Sequence, residues 1–323
     1  MKNWKIISAA IASVVLLSAG IFALASPHEV KPVRVAYLPV MQSLPLFVAA
    51  ERGMFEAEGL EVQLQRIESP NQIIDALVSG NVDAGAPSVA AGIAAIAELQ
   101  KPGSLKIYSL TCGTLERLND ELLVAKNSSI ASIAELKGKR LAHLPGVQFS
   151  SMAKKILLEN GVQPSEVTLV ELAVPNQLPA LAGGSVDAVL TLEPTGTLGE
   201  FKNVSRILVR NPMVRFVADP WCGGAGVTSA KFLSERPAEA QAFVRVMRRA
   251  IADTLHDESA RQYLVEYLQL PESVAREAPL PLMVSAQDAD AGVVAAYQKF
   301  VDVFFELNVT SARPSVSGLL WRG

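Results

Sequence analysis

The sequence predicts an α/β protein built of two similar lobes, and three observations carry that prediction. The first two are a strand motif and a helix–strand joint, each of which occurs twice along the chain with nearly the same offset. The third observation is length, because the 298 residues that follow residue 25 (323 − 25) are a soft prior for two domains. With 50% hydrophobic and 19% charged residues, the composition is that of a globular protein.

The repeated strand motif is a basic residue, a short apolar run and a proline. It reads RVAYLP at residues 34–39 and RLAHLP at residues 140–145, an offset of 106 (140 − 34). The repeated joint reads ALVSGNVDA at residues 76–84 and ALAGGSVDA at residues 180–188, an offset of 104 (180 − 76). Each joint is typical of a helix that ends at a glycine before a strand. Alternating strands and helices predict βαβ units, so each lobe is expected to hold a mainly parallel sheet flanked by helices.

The duplication sets the expected domain organisation. Residues after about 222 have mostly helical patterns, for example at Ala238–His256 and Asp288–Leu307, and are expected to return to the first lobe. The predicted segments are 31–113 plus 222–323 for lobe one, 114–215 for lobe two, and hinges near 113–120 and 216–222. Ligands of open α/β sheets bind beyond the carboxyl ends of the strands, so we expect a cleft between the lobes that closes on a ligand.

The first residues predict export. Lys2 and Lys5 precede an uncharged run over residues 6–24, and Ala23-Leu24-Ala25 fits a signal-peptidase site. We expect a signal peptide over residues 1–25, cleavage after Ala25 and a periplasmic protein of about 298 residues (323 − 25). The alternative is an uncleaved anchor, because about 20 apolar residues can span a bilayer. No cysteine lies near the cleavage point, which argues against lipid anchoring.

Charge and motif content exclude several classes of function. A net charge of −3 argues against a nucleic-acid partner, which requires a basic surface. The three histidines show no metal-ligand spacing, and there is no phosphate-binding loop or nucleophile elbow. We therefore assign no catalytic residue, metal or cofactor. Cys112 and Cys222 can pair in an oxidising compartment, but the sequence leaves open whether they are bonded.

A series of motifs in order along the mature chain resembles a known family. They are YLP at 37–39, PLFVA at 45–49, GMF at 53–55, EGL at 58–60, GNVD at 80–83, LKGKR at 136–140, VDA at 186–188 and EP at 193–194. The pattern is similar to periplasmic binding proteins of the nitrate, sulfonate and taurine type, which include binders of thiamine-pyrimidine precursors. The resemblance implies a two-lobed periplasmic binding protein type II fold. It also implies a small-molecule solute and an ABC permease of the inner membrane as partners, with the binding protein a monomer.

One departure from the family bears on the solute. Sulfonate and taurine binders often carry a tryptophan shortly before the acidic residue and proline, whereas this chain reads LTLEP at residues 190–194. Two other functions stay open. One is an enzyme on the same fold, like the pyrimidine-synthesising relatives, although their Cys-rich motif is missing here and a secretory leader fits them badly. The other is a binding protein that serves a sensor receptor.

Candidate ligand contacts follow the ends of predicted strands. A helix N-terminus presents free N–H groups, so polar residues in these loops suit an anionic group. The alternative role for each is helix capping or core packing. Ser88 is expected at a turn that opens an Ala-rich helix. The candidates in these loops are Gln42 and Ser43, then Pro87 and Ser88, then Gln148, Phe149 and Ser150.

Further candidates lie at the predicted cleft edge and hinges. Glu193 follows a strand and can accept hydrogen bonds from an amine or ring N–H, or it can instead belong to the hinge or cap a helix. Thr191 lies on the same strand face. Gly113, Thr114 and Trp221 are expected to line the cleft floor, with Gly223–Gly226 as a hinge loop. These residues predict a small organic acid, a zwitterion or a pyrimidine as the solute.

Overall fold

The computed structural model describes residues 31–322 of the chain. The predicted leader, residues 1–25, lies outside the described residues. Among residues 31–322, no helix has the length and apolar character needed to cross a membrane. The residues from Val33 onward form one compact unit that holds two sheets.

The chain begins with alternating strands and helices, as the first repeat predicts. These elements are β1 (Val33–Tyr37), α1 (Leu44–Glu51), β2 (Val62–Arg66), α2 (Pro70–Ser79), β3 (Ala84–Ala90), α3 (Ala91–Gln100) and β4 (Leu105–Gly113). Helix α2 begins at a proline and ends at Gly80, whose φ of 74° suits glycine best. Short 3-10 helices lie at Met41–Ser43 and Glu56–Glu58.

The second repeat follows the same alternation. Its elements are β5 (Asp120–Ala125), β6 (Arg140–His143), α4 (Val147–Glu159), β7 (Thr168–Glu171), α5 (Val174–Ala182), β8 (Ala188–Leu192), α6 (Thr195–Phe201), β9 (Ser205–Arg210) and α7 (Pro212–Phe216). Two further 3-10 helices lie at Ile133–Leu136 and Pro164–Glu166.

The C-terminal part adds two strands and five helices. They are β10 (Trp221–Ser229), α8 (Ala230–Glu235), α9 (Pro237–His256), α10 (Tyr263–Leu268), α11 (Glu272–Glu277), β11 (Leu282–Ser285) and α12 (Ala291–Glu306), with a 3-10 helix at Glu258–Gln262. The two helices predicted at Ala238–His256 and Asp288–Leu307 correspond to α9 and α12.

The strands form one sheet in each lobe. Lobe one is the six-stranded sheet β11-β4-β10-β3-β1-β2 with its helices, and lobe two is the five-stranded sheet β7-β6-β8-β5-β9 with α4–α7. The chain passes from lobe one to lobe two between β4 and β5, and returns between β9 and β10. The two-lobed α/β fold predicted from the sequence is confirmed.

The sheets are mixed, which corrects the expectation that each sheet is mainly parallel. β1 runs parallel to β2 and β3, and β6 runs parallel to β7 and β8. The strands that follow each passage between lobes, β5 and β10, run antiparallel to both of their neighbours. A strand that arrives from the other lobe is not the product of a βαβ crossover, and so it is free of the parallel constraint.

The internal duplication extends to matching side-chain contacts. In lobe one, the Arg34 guanidinium donates to both carboxylate oxygens of Asp83, at 3.2 and 3.0 Å, and to the carbonyl of Gly80 at 2.8 Å. In lobe two, Arg140 donates to Asp187 at 3.0 and 3.1 Å and to the carbonyl of Gly184 at 2.8 Å. The basic residue and the Val-Asp-Ala string of each repeat therefore form one structural unit, which joins the first strand to the end of a helix.

Two local predictions were wrong. Pro87 and Ser88 lie inside β3, so Ser88 does not cap a helix. The segment Gly223–Gly226 lies inside β10 and is not a hinge loop. Its glycines serve close packing, because a Cβ on Gly223 would lie 2.0 Å from the Trp221 ring. Glycine in a strand often marks such a close approach.

Candidate functional site

The loop after β1 reaches from lobe one to lobe two. The buried Gln42 side chain donates from Nε2 to Asn119 Oδ1 at 2.8 Å, and the Met41 amide donates to the Glu193 carbonyl at 3.1 Å. Asn119 directly precedes β5, and Glu193 directly follows β8. The predicted ligand donor Gln42 is therefore hydrogen-bonded across the lobe boundary.

A second glutamine makes the reciprocal contact from lobe two. Gln148 lies in the first turn of α4 and is fully buried. Its Oε1 accepts from the Gly92 amide at 2.8 Å, and its Nε2 donates to the Gly223 carbonyl at 3.0 Å. Both partners belong to lobe one, so Gln42 and Gln148 join the lobes from opposite sides.

A close approach of α2 to lobe two lies next to Gln148. A Cβ on Gly146 would lie 2.6 Å from Asn71 Oδ1, and Gly146 has a φ of 106°. Glycine is required here by both space and backbone conformation. Asn71, Gly92 and Asn119 were not among the predicted site residues, because only the packing of the two lobes identifies them.

The serine candidates hold the β1 loop within lobe one. Ser43 Oγ lies 2.6 Å from the Leu38 carbonyl and 2.7 Å from Ser88 Oγ, which also accepts from the Leu38 amide at 3.1 Å. The Pro87 carbonyl accepts from Thr111 Oγ1 at 3.0 Å. These hydrogen bonds lie within lobe one and hold the loop that carries Gln42 in place.

The Glu193 carboxyl lies within lobe two, against α6. Its oxygens accept from the hydroxyl of Thr197 at 2.9 Å and from the Thr197 amide at 3.3 Å. This is the helix-capping role that the sequence offered as the alternative to ligand binding. Burial raises the pKa of Glu193, and the hydrogen bonds from Thr197 oppose that rise.

Glu193 belongs to a group of buried carboxyls. Glu121 is fully buried and lies beside Glu193. Burial raises the pKa of Glu121 well above its ordinary value, and the adjacent Glu193 charge raises it further. Burial also raises the pKa of Asp120 to about 8, while one of its oxygens accepts from the Met213 amide at 3.3 Å. These carboxyls therefore favour the protonated form at a pH where an exposed carboxyl is ionised.

Of the remaining candidates of lobe two, Thr191 and Ser150 make hydrogen bonds within that lobe, and Phe149 lies in the hydrophobic core. Thr191 Oγ1 donates to Gln177 Oε1 at 2.6 Å, and Ser150 Oγ donates to the Val147 carbonyl at 3.2 Å. The Phe149 ring is buried in the hydrophobic core. These three contacts explain the residues structurally, and a ligand contact for any of them stays a prediction.

The hinge candidates lie where the two passages between lobes run side by side. Asn211, in the left-handed conformation with a φ of 48°, accepts from the Asn119 amide at 3.0 Å and donates to the Thr114 carbonyl at 2.7 Å. A Cβ on Gly113 would lie 3.1 Å from Asn119 Cβ. Trp221 is fully buried and packs edge-on against Phe300 at 5.5 Å, which leaves no exposed ring face for stacking on a ligand.

A disulfide joins the two passages. Cys112 near the end of β4 is bonded to Cys222 near the start of β10, with a sulfur–sulfur distance of 2.11 Å. The two residues are 110 positions apart, and the loop they close contains the whole of lobe two. The second lobe is therefore tied at both of its ends.

A cavity of about 250 Å³ lies between the lobes on the side of the strand carboxyl ends. Lobe one contributes Pro39, which follows β1, and Arg66, the last residue of β2. Lobe two contributes Pro175, after β7, and Pro194, after β8. The cavity is therefore at the edge of the sheets where α/β proteins bind ligands. We call it the proline-lined cavity.

The sequence and the fold of this chain are both similar to those of known proteins. A sequence profile described as NMT1/THI5 like matches residues 40–260, more than half of the chain. The chain belongs to the NMT1/THI5-like family.

Some relatives of the chain are named as binding proteins and others as enzymes. The chain is 28% identical over 247 residues to a Bacillus subtilis (strain 168) protein named for binding aliphatic sulfonates, covering 74% of this chain and 71% of that one. It is 24% identical over 250 residues to a 4-amino-5-hydroxymethyl-2-methylpyrimidine phosphate synthase of Schizosaccharomyces pombe, covering 72% and 67%. The relatives of this chain thus include both a protein named for binding and a protein named as an enzyme.

Among solved structures, the fold is similar to that of the alkanesulfonate-binding protein SsuA from Xanthomonas axonopodis pv. citri bound to MOPS. The TM-score is 0.74 at 20% identity, over 90% of this chain and 98% of that chain. The similarity shows that this chain shares the fold of that protein. Between residues 31 and 322, no group of three or more His, Cys, Asp or Glu side chains is placed to hold a metal ion.

Proposed function

We propose that the protein is the extracytoplasmic solute-binding component of an ABC importer. In this proposal it captures a small organic acid, a sulfonate-like or a nitrogen-containing solute between its lobes and delivers it to an inner-membrane permease. The mature chain begins after Ala25 and acts as a monomer in the periplasm.

The observation that carries the proposal is the boundary between the lobes. Gln42 of lobe one and Gln148 of lobe two each cross it with buried hydrogen bonds, and the proline-lined cavity opens along it. Polar groups that bind each other across a cleft are the groups that a ligand meets when the cleft opens. The relatives named as binding proteins support the same function.

The mechanism we propose is binding by closure. The solute enters while the lobes are apart and gains contacts with both lobes as they close, so it shifts the equilibrium toward the closed form. Gln42 and Gln148 exchange their solvent partners for hydrogen bonds across the boundary, and the closed form then docks on the permease. No bond of the solute changes.

The proposal is tested with the mature chain, residues 26–323, unfolded and refolded to remove any retained solute. Thermal shifts are measured against sulfonates, nitrate, carboxylates, amino acids and pyrimidines. A solute at a hundred times its dissociation constant adds about 2.7 kcal/mol to the free energy of unfolding, which is readily measured.

The result of the binding experiment distinguishes solute capture from enzymatic conversion of the bound compound. We expect at least one solute class to bind and to be recovered chemically unchanged by mass spectrometry. Gln148→Leu, which removes both hydrogen bonds to lobe one, should weaken that binding, whereas Gln163→Leu on the exposed surface should leave it unchanged. Absence of binding by every class, or conversion of the bound compound to a product, would contradict a role in solute capture.

A further inference from the structure

Two buried carboxyls lie side by side under helix α6 of lobe two. Glu121 belongs to β5 and Glu193 directly follows β8, and their carboxyl groups are hydrogen-bonded to each other. A hydrogen bond between two carboxyls needs a proton on one of them, because an ionised carboxylate can only accept. The pair therefore holds one shared proton when it is joined in this way.

Helix α6 packs directly on this pair. A Cβ on Gly196 would lie 2.7 Å from Glu121 Cδ and 2.9 Å from Glu121 Oε1, so the helix backbone approaches the carboxyl as closely as a glycine allows. The next residue, Thr197, donates its hydroxyl and its amide to the Glu193 carboxyl, at 2.9 and 3.3 Å. A change in the charge of the pair therefore acts on α6 without an intervening side chain.

The same segment makes contacts with lobe one. The backbone carbonyl of Glu193 accepts from the Met41 amide at 3.1 Å, and α6 packs against α11. The Leu198 side chain in α6 contacts the hydrophobic core of lobe one and that of lobe two. The position of α6 is therefore coupled to the contact between the lobes.

The charges around the pair favour retention of the shared proton. Burial is the main cause of the raised pKa of Glu121, the Glu193 charge is the next, and Asp120 beside it in β5 adds a smaller effect. Arg210, opposite Glu121 on β9, lowers that pKa, but it is exposed to solvent and so offsets a second negative charge only in part. Helix α11, which packs on α6 from lobe one, carries the charged residues Glu272, Arg276 and Glu277. Loss of the shared proton thus places two negative charges in one buried space.

From this arrangement we propose that Glu121, Glu193 and α6 form a proton-dependent latch between the lobes. With the shared proton, the pair holds α6 against lobe one; without it, the two charges repel, α6 is displaced and the contact is released. In the released state the carboxyls reach solvent, where their pKa is about 4.3. The latch is therefore most stable below that pH, and the equilibrium constant for release rises up to tenfold for each pH unit above it, until the pH exceeds the pKa of the pair. The latch concerns the contact between the lobes, so it stands whether or not the protein captures a solute.

The test is amide hydrogen exchange, measured by NMR on residues 26–323 without added solute, for the wild type and Glu121→Gln. Glutamine keeps the shape of the side chain and can donate an N–H to Glu193 at every pH, so it replaces the protonated form. Comparison of the two proteins at the same pH cancels the intrinsic pH dependence of exchange. For the amides of Met41, Thr197 and Leu198, we expect the rate in the wild type, relative to the variant, to increase at least tenfold between pH 5 and pH 8.

Two further variants complete the design. Glu200→Gln is the matched control, because Glu200 is an exposed carboxyl on the same helix, and its exchange rates should stay within twofold of the wild type at each pH. Glu193→Gln also leaves a single ionisable group in the pair. It should therefore slow exchange at high pH as Glu121→Gln does, and it serves as the test if Glu121→Gln does not fold.

Three results would overturn the latch. The first is a rate ratio that does not change with pH at Thr197 and Met41. The second is an increase at Thr197 without one at Met41, because the effect is then confined to α6 and does not reach the lobe contact. The third is an equal increase at buried strand amides such as that of Val35, since exchange then reports unfolding of the whole protein. None of these results depends on solute binding, so the latch and the proposed function can fail separately.

Discussion

Loss of the Cys112–Cys222 disulfide should destabilise the protein by an amount set by the loop it closes. The bond spans 110 residues and encloses lobe two. A disulfide that closes a loop of that length lowers the conformational entropy of the unfolded chain. In the chain-entropy treatment, this raises the free energy of unfolding by about 5 kcal/mol at 25 °C. Both cysteines are fully buried, so alanine replacements also remove packed sulfur atoms and add to the loss.

The assay is guanidinium unfolding of the wild type and of the double variant Cys112→Ala/Cys222→Ala, each with and without dithiothreitol. We expect the variant to lose about 5 kcal/mol, and we expect the fully reduced wild type to lose a similar amount. The reductant should not change the variant, which serves as the control for indirect effects. A variant within about 1 kcal/mol of the oxidised wild type would refute the reasoning that the bond restrains lobe two.

Three further outcomes follow from the packing. Burial raises the pKa of Asp120 to about 8. The folded protein therefore keeps a proton on Asp120 that the unfolded chain releases near pH 4. As a result, the free energy of unfolding falls as the pH rises from about 4 to about 8. Asp120→Asn should therefore match the wild type near pH 4 and exceed it by up to about 5 kcal/mol above pH 8, as measured by urea unfolding. Gly226→Ala should cost about 1–3 kcal/mol, because its Cβ would lie 2.3 Å from the Tyr108 ring, whereas Gly318→Ala, with open space around it, should cost little. Asp83→Asn should lower the melting temperature more than Asp187→Asn, since the Asp83 side chain is 12% exposed and that of Asp187 is 28% exposed.

Much of the fold was predictable because the duplicated motifs mark structural units. The strings around Arg34 and Arg140 predicted equivalent strands, and the structure gives both arginines the same partners. The wrong predictions concern residues whose local conformational preference differs from the secondary structure that they adopt. Pro87 and the glycines of β10 favour loops locally, yet packing against the Trp221 and Tyr108 rings places those glycines in a central strand.

The site was predictable only in part. Gln42 and Gln148 were predicted near the cleft because they follow the carboxyl ends of strands, where ligands of open α/β sheets bind. The sequence pattern could not assign the direction of the Glu193 side chain, which depends on how α6 packs. Nor could it place Arg66 and Lys202 at the same cavity, because they are 136 residues apart in the sequence (202 − 66) and belong to different lobes.

The most direct test of solute capture is a crystal structure of the mature chain with the solute that binds most tightly. We predict that the solute lies between the lobes at the carboxyl ends of the strands and contacts residues of both sheets. A solute that contacts one lobe only, for example in the cavity of lobe one lined by Tyr108, Arg248 and Trp321, would contradict binding by closure.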